Sequence, residues 1–237
     1  MVNITMLVRD RPNLTRQALD SLLAHTKADY TVTVIDDRSE AETSDMLIHW
    51  SRSGKSVFRN SVPAGTGVLR NEVVHASEAR YGRGGYLYLS DNDVSFTDDW
   101  LNTLIYCYES AWKKGFRVVG AYNHPYHVPT RSVNVGRMTA EGAKFYNVCE
   151  VNALALQSML MRWCVWDDYG PFCETPVDKV CQSEDVDFTN KIHAAGYKIG
   201  VVSPALVVST GITNTFGEKI PGWELVKAQA PPGVIVE

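Results

Sequence analysis

The 237-residue chain has no long apolar run. Its most apolar stretches, such as "VVSPALVV" (Val201–Val208), are short and broken, well below the roughly 20 residues a membrane-spanning helix requires. Arg9, Asp10 and Arg11 follow the start at once, so no apolar leader fits, and a soluble protein of the cytoplasm is expected. An excess of positive charge is also lacking. Lys and Arg number 23 against 27 Asp and Glu, for a net charge of −4. That argues against a surface built to coat nucleic acid, while leaving room for a local basic patch. There is no CxxC. The five cysteines (Cys107, Cys149, Cys164, Cys173 and Cys181) are odd in number and scattered. They read as reduced, mostly buried thiols rather than as a disulfide framework or a zinc site. No internal repeat and no linker between autonomous domains is visible. A chain of this length that is 45% hydrophobic can bury a core without staples.

What is present is alternation. "VNITMLV" (2–8) and "YTVTVI" (30–35) are strand-like, the second rich in β-branched residues. Between them Pro12 suits the first turn of a helix in which Leu14, Ala18 and Leu22 fall at helical spacing. "SEAETSDMLIHW" (39–50) predicts a second helix, with Ser39 suited to its N-cap. "SVFRN" (56–60) is a short third strand. "GTGVLRNEVVHASEARYG" (65–82) is a glycine-led helix stopped near Gly82, and "GYLYLS" (85–90) is a fourth strand. Such an order predicts βαβ units and a mainly parallel sheet whose strand carboxyl ends share one edge. In open α/β sheets that edge holds the ligand.

The second half is less regular. A helix with an apolar face runs through "DDWLNTLIYCYESAWKKG" (98–115), and "FRVVGAY" (116–122) is a strand. Residues 123–146 read as an irregular, functional or mobile loop. "VNALALQSMLMRW" (151–163) reads as extended and buried. "SEDVDFTNKIHAAGYK" (183–198) is a helix, with Ser183 a fair N-cap and Gly196 placed to end it. "IGVVSPALVVS" (199–209) returns to strand, and the tail from Gly217, with "PG" and "APPG", reads as an extended appendage.

Four stretches carry chemistry. In "YLYLSDNDV" (86–94) an apolar strand runs into Asp91, Asn92 and Asp93. The motif is an Asx-turn or a metal site, since Mg²⁺ and Mn²⁺ take oxygen ligands and commonly one or two carboxylates plus phosphates. "VIDDRS" (34–39) ends the second strand with Asp36 and Asp37, either as a turn or as acceptors for a nucleobase N–H or ribose hydroxyl. "PAGTGVLRNEV" (63–73) either starts a helix or lets backbone approach a ligand faced by Arg70. No Gly-Lys-Ser/Thr follows, so it is not a P-loop. "SEDVDF" (183–188) places acids in a first helical turn, where they favour the macrodipole or supply a base.

Taken in order, these pieces resemble the inverting glycosyltransferases of the GT-A fold, especially glycosyltransferase family 2. The resemblance covers the chain from about Val2 to Gly211. "LVRDRPNLTRQALDSLLAHT…YTVTVIDDRS" is similar to the family's opening strand, helix and nucleotide-binding strand, and "GTGVLRNEV" to its Arg-Asn helix start. "YLYLSDNDVSFTDDWL" is similar to its DxD strand, and "SMLMRWCVWDDYGPFCE" and "SEDVDFTNKIHAAGYKIGVV" to its acceptor segment and Glu-Asp helix. The resemblance implies a three-layer α/β/α sandwich around a mainly parallel, Rossmann-like sheet. It implies a single domain with a nucleotide-sugar half (1–93), an acceptor half (94–216) and a C-terminal tail (217–237).

It also implies roles. Val8, Arg9, Asp36, Asp37, Gly65, Arg70, Asp91 and Asn92 would bind a nucleoside-diphosphate sugar, with UDP the favoured nucleotide. Asp93, with Asp91, would hold Mn²⁺ or Mg²⁺. Asp185, beside Glu184, would be the general base. One departure stands out. Many relatives carry a late His that reaches the metal, and here the stretch is "VVSTG" with Ser209 at that place. His124 and His127 are candidates to replace it, or else ordinary loop histidines.

Several readings stay open beside this one. A nucleotidyltransferase would carry a glycine-rich basic loop after the first strand, where this chain reads "RDRPN". A non-catalytic sugar-binding module has no need of Asp93 together with Glu184 and Asp185. A retaining enzyme on the same fold is not separated by sequence. The acceptor is a saccharide or another hydroxyl compound. Arg131, Arg137 and Lys144 in the irregular segment raise a phosphate-bearing acceptor, such as a hydroxymethylated base of phage DNA, against an ordinary solvated loop.

Overall fold

The computed structural model describes residues 1–52, 55–62, 64–121, 130–139, 142–154, 157–174, 184–211, 219, 224 and 234–236. Strands β1 (Val2–Val8), β2 (Tyr30–Asp36), β3 (Ser56–Arg59) and β4 (Tyr86–Asp91) alternate with helices α1 (Pro12–His25), α2 (Ala41–Ser51) and α3 (Thr66–Tyr81). There follow β5 (Val94–Phe96), α4 (Trp100–Trp112), β6 (Phe116–Gly120), β7 (Arg131–Thr139) and β8 (Gly142–Val151). The described elements end with β9 (Ser158–Arg162), α5 (Trp163–Tyr169), α6 (Glu184–Ala194), β10 (Lys198–Ser203) and β11 (Val207–Ser209).

Among the described residues nine strands form one sheet in the order β3-β2-β1-β4-β9-β6-β10-β8-β7, and β11 pairs with β5 in a second, two-stranded sheet. The strands β1 to β4 run parallel, while β9 and β8 run against their neighbours. The pleat sends alternate residues to opposite faces. Even-numbered Val2, Ile4, Met6 and Val8 of β1 pack with Ala18, Leu19 and Leu22 of α1 and with Leu101 and Leu104 of α4. On the other face Leu87 and Leu89 of β4 pack with Val74 of α3, Trp166 of α5 and Phe188 and Ile192 of α6. Helices thus cover both faces, giving the three-layer α/β/α arrangement.

Local chemistry sets the ends of these elements. Pro12 occupies the first turn of α1. Gly82 (φ 70°) and Gly196 (φ 81°) adopt the left-handed backbone that stops α3 and α6. Ser39 is not the N-cap of α2; Glu40 is, and Ser39 instead accepts a hydrogen bond from the Asp10 amide at 2.8 Å.

The segment expected to be irregular between 123 and 146 holds most of a long hairpin, β7–β8, paired from Arg131↔Glu150 to Thr139↔Gly142. It lies at the sheet edge with few buried residues, so it lacks the apolar alternation that announces a strand. The extended stretch expected over 151–163 narrows to Ser158–Arg162 before α5 begins at Trp163. His124, His127 and Ser183 lie outside the described residues, as does most of the tail. Of that tail, Ile235 exchanges two hydrogen bonds with the side-chain amide of Gln17 on α1.

Candidate active site

The chain runs outward from β1 to β2 and β3, then returns to β4 on the other side of β1. The connections leaving the carboxyl ends of β1 and β4 therefore diverge and open a crevice between them. Register aligns the acids across it: Val8 pairs with Asp36, and Leu7 pairs with Asp91. Beneath the crevice the rings of Tyr88, Phe96 and Trp100 stack at centroid distances of 4.6 to 6.4 Å, which fixes the strand on either side of Asp91–Asp93.

Asp91 and Asp93 each face an arginine. Arg70, from the first turns of α3, donates to Asp91 Oδ1 at 2.6 Å with only 6% of its side chain exposed. Arg11 donates to Asp93 Oδ2 at 3.1 Å. The other Asp93 oxygen, Oδ1, is buried with no hydrogen-bond partner among the described residues. Burial, then repulsion from Asp91, pushes the Asp93 carboxyl up to about 6, although Arg11 pulls the other way. The backbone of "STG" closes on the same residue: the Thr210 amide donates to the Asp93 carbonyl at 2.8 Å, and Gly211 packs against its carboxylate. Ser209 and Thr210 are buried, and their hydroxyl oxygens also lack partners among the described residues.

Asn92 points inward. Its amide nitrogen donates to the Asp10 carbonyl and to Thr15 Oγ1, tying the acidic loop to the entry of α1. Asp36 is likewise occupied, accepting from the Ser39 amide at 2.8 Å and from Ser44 Oγ at 3.2 Å. Asp37 is held more loosely, by Arg9 and by the Asn60 amide, each at 3.4 Å. Gly65 is the N-cap of α3.

Glu184 and Asp185 open α6. Glu184 is 5% exposed, and its Oε2 has no hydrogen-bond partner among the described residues. Burial and the neighbouring Glu184 raise the Asp185 carboxyl to about 6, while Arg70 is near enough to oppose the shift. The start of α3 grips this side of the site directly. Asn71 donates to the Phe172 carbonyl at 3.0 Å and accepts from the Phe172 amide at 2.9 Å. Gly67 sits so close to Cys173 that a side chain there would overlap its carbonyl oxygen.

The site residues expected from sequence thus converge on one sheet edge. Arg11 and Asn71 were not singled out. Their signals were present, as a cation just past β1 in "RDRP" and as a polar residue on the buried side of α3. The cations expected to line an acceptor loop are partly committed: Arg137 pairs with Asp99 at 2.8 Å and also donates to Thr103.

The residues fit a hard divalent cation. A buried carboxylate oxygen without a partner among the described residues is a hard oxygen donor of the kind such an ion takes. Among the described residues no group of three or more His, Cys, Asp or Glu forms a self-sufficient metal cage. The site therefore suits an ion that draws further ligands from phosphate and water.

Comparison with solved structures gives the same fold. A mannosyltransferase from Pyrobaculum calidifontis, solved with GDP-Man and Mn²⁺, aligns over 84% of this chain and 56% of its own, with a TM-score of 0.59 at 13% identity. TarS of S. aureus, residues 1–349 with UDP, aligns over 87% and 59% respectively, with a TM-score of 0.60 at 17% identity. GalNAc-T7, solved with UDP, GalNAc and Mn²⁺, aligns over 85% and 42%, with a TM-score of 0.58 at 15% identity. The chain spans 60% or less of the length of these structures. No curated protein matches it in sequence. Among the described residues no helix is long and apolar enough to cross a membrane. Residues 4–132, which run from β1 through the acidic loop into β7, match Glycosyl transferase family 2, and the chain belongs to that family.

Proposed function

We propose that the crevice transfers a sugar from a nucleoside-diphosphate sugar to an acceptor hydroxyl with the help of a divalent metal, and that it does so with inversion. The observation that carries this reading is the buried, half-partnered Asp93 carboxylate at the carboxyl edge of β4, with guanidiniums on both acids of the loop. Two acids and two arginines at the divergence of β1 and β4 suit a cation and a diphosphate together.

Asp37 takes the base. Its carboxylate only accepts, so it matches a base that presents an N–H, and the imide of uracil is the simplest case. Two of the similar structures hold UDP and one holds GDP-Man, which supports UDP as the first choice. Asp36, turned inward onto Ser39 and Ser44, positions Asp37 rather than touching the donor. Arg70 holds Asp91 toward the donor sugar or ribose. Asp93, with Asp91, would hold Mn²⁺ or Mg²⁺, which when bound offsets the charge gathering on the departing diphosphate.

Asp185 takes the proton of the acceptor hydroxyl. The hydroxyl oxygen then forms its bond to the anomeric carbon from the face opposite the diphosphate, and the bond to the diphosphate oxygen breaks with its electron pair leaving on the nucleotide. Burial suits Asp185 to this task, because a base whose pKa is near 6 is charged at neutral pH yet holds a proton more readily than an ordinary carboxylate. The acceptor is a saccharide or another hydroxyl compound. Arg137, already paired with Asp99, weakens the case for a DNA acceptor. The odd-numbered, scattered cysteines suit a reducing compartment such as the cytoplasm.

The experiment is a panel of UDP- and GDP-sugars incubated with the protein and Mn²⁺, reading release of the nucleoside diphosphate. Release from a UDP-sugar that stops with chelator supports the reading. Release from none of them, with and without saccharide acceptors, overturns it.

A further inference from the structure

We propose that Arg11 is a resident cation on the Asp93 carboxylate, and that metal and donor diphosphate displace it together, so that each binds weakly without the other. The proposal rests on the donor-site reading above and adds an order to it.

The argument begins with the backbone. Asp10 and Arg11 are consecutive residues in the left-handed region, at φ 52° and 56°, which L side chains disfavour. Such a turn persists only when its surroundings over-determine it. Here they do. The Asp10 amide donates to Ser39 Oγ, and the Glu40 amide donates to Asp10 Oδ1, each at 2.8 Å. Thr15 Oγ1 and Asn92 Nδ2 both donate to the Asp10 carbonyl, at 3.0 and 3.2 Å. The Thr15 amide donates to the Arg11 carbonyl at 2.9 Å. The turn ends by directing a guanidinium onto one oxygen of Asp93, in a contact whose partners are only 22% and 12% exposed.

Arg70 does not substitute for it, because Arg70 is held on Asp91. On Asp93 the Arg11 contact is to Oδ2, and Oδ1 stays buried without a partner among the described residues. A divalent cation arriving on Asp93 therefore meets a second cation on the same carboxylate, in a partly buried place where like charges repel strongly. A diphosphate changes this balance. It offers the guanidinium a bidentate partner of its own, and a rotation of the long Arg11 side chain then frees Oδ2. Metal and nucleotide thereby raise each other's affinity by the same factor.

The test is a titration of the full chain with Mn²⁺, read by the electron paramagnetic resonance of the free ion, with and without UDP. Wild type is expected to bind Mn²⁺ weakly alone and about tenfold or more tightly with UDP. Arg11→Asn keeps a residue that tolerates the left-handed backbone and removes the cation. It is expected to bind Mn²⁺ alone about tenfold more tightly than wild type and to gain less from UDP, the remaining gain coming from phosphate on the metal. Arg11→Lys, which keeps the charge, is expected to retain the weak binding of Mn²⁺ alone. Equal Mn²⁺ affinity in wild type and Arg11→Asn overturns the proposal, and so does a wild type whose Mn²⁺ affinity ignores UDP, a result that needs no variant. Absence of Mn²⁺ binding in every protein, with UDP or with GDP, overturns the donor-site reading itself and this inference with it.

Discussion

Replacing Gly211 by Ala isolates the Asp93 carboxylate from the rest of the fold. Gly211 does not have a positive φ, so its backbone accepts an alanine, and only space opposes the change. A Cβ there would overlap Asp93 Oδ2 and would lie 2.9 Å from its Cγ and 3.0 Å from its Cβ. Ordinary contacts between such atoms begin about 0.5 Å or more beyond these distances. Asp93 is not a flexible tip that can swing aside. Its carbonyl accepts from the Thr210 and Gly211 amides, and its side chain is packed at the start of β5. Overpacking of this kind costs about 1–3 kcal/mol. For a chain of this size each kcal/mol lowers the melting temperature by about 2–4 °C, so a drop of about 2–12 °C is expected. Displacing a catalytic group by about 1 Å costs on the order of a hundredfold in turnover. The assay pairs scanning calorimetry with nucleotide release at saturating Mn²⁺. Gly85→Ala is the control, since a Cβ there would meet only the Met1 carbonyl oxygen, at 3.8 Å, and it should change stability by less than about 0.5 kcal/mol. Turnover of Gly211→Ala within a few-fold of the parent, at an unchanged melting temperature, would refute the packing argument.

Asp185→Asn keeps the side-chain volume and removes the base, so turnover should fall about a hundredfold to ten-thousandfold while donor affinity, read by calorimetry, stays unchanged. Turnover close to wild type with a slightly lower melting temperature would leave Asp185 only its place in the first turn of α6. The kcat–pH profile should carry an acid limb near pH 6, because the carboxylate needed as base is present above that pH and is lost as pH falls through it. The same raised pKa means that the folded state binds this proton more tightly than the unfolded chain, so its contribution to stability declines as pH rises from about 4 to about 6, a slope that Asp185→Asn should remove in pH-dependent urea melts. Asn71→Ala leaves the amide and carbonyl of Phe172 unpaired and should cost about 2–4 kcal/mol, whereas Asn71→Asp retains the bond from the Phe172 amide and should cost less, as denaturant midpoints would show.

The first half of the fold was legible because its signals are local. Pro12, Gly82 and the apolar run into Asp91 mark their own helix ends and strand by backbone chemistry, and strand–helix alternation then orders the sheet. The β7–β8 hairpin was not legible. With few of its side chains buried at the sheet edge, nothing forces a period of two on its sequence. In the site, residue types were readable but partners were not. Sequence shows Asp36 and Asp37 side by side, and only the register reveals that Asp36 turns into Ser39 and Ser44 while Asp37 meets Arg9 and Asn60. The pairing of Arg11 with Asp93 spans 82 positions and depends on a left-handed turn that no glycine announces.

The central claim is that Asp93 joins a divalent metal to a nucleotide-sugar donor. Its most direct test is calorimetric titration of a UDP-sugar into the protein with Mn²⁺ and with chelator, in wild type and in Asp93→Asn. The account predicts binding in wild type with Mn²⁺ that is lost with chelator, and no Mn²⁺-dependent binding in an Asp93→Asn protein that melts as a folded domain. Equal affinity in the two proteins, or affinity indifferent to Mn²⁺, would contradict it.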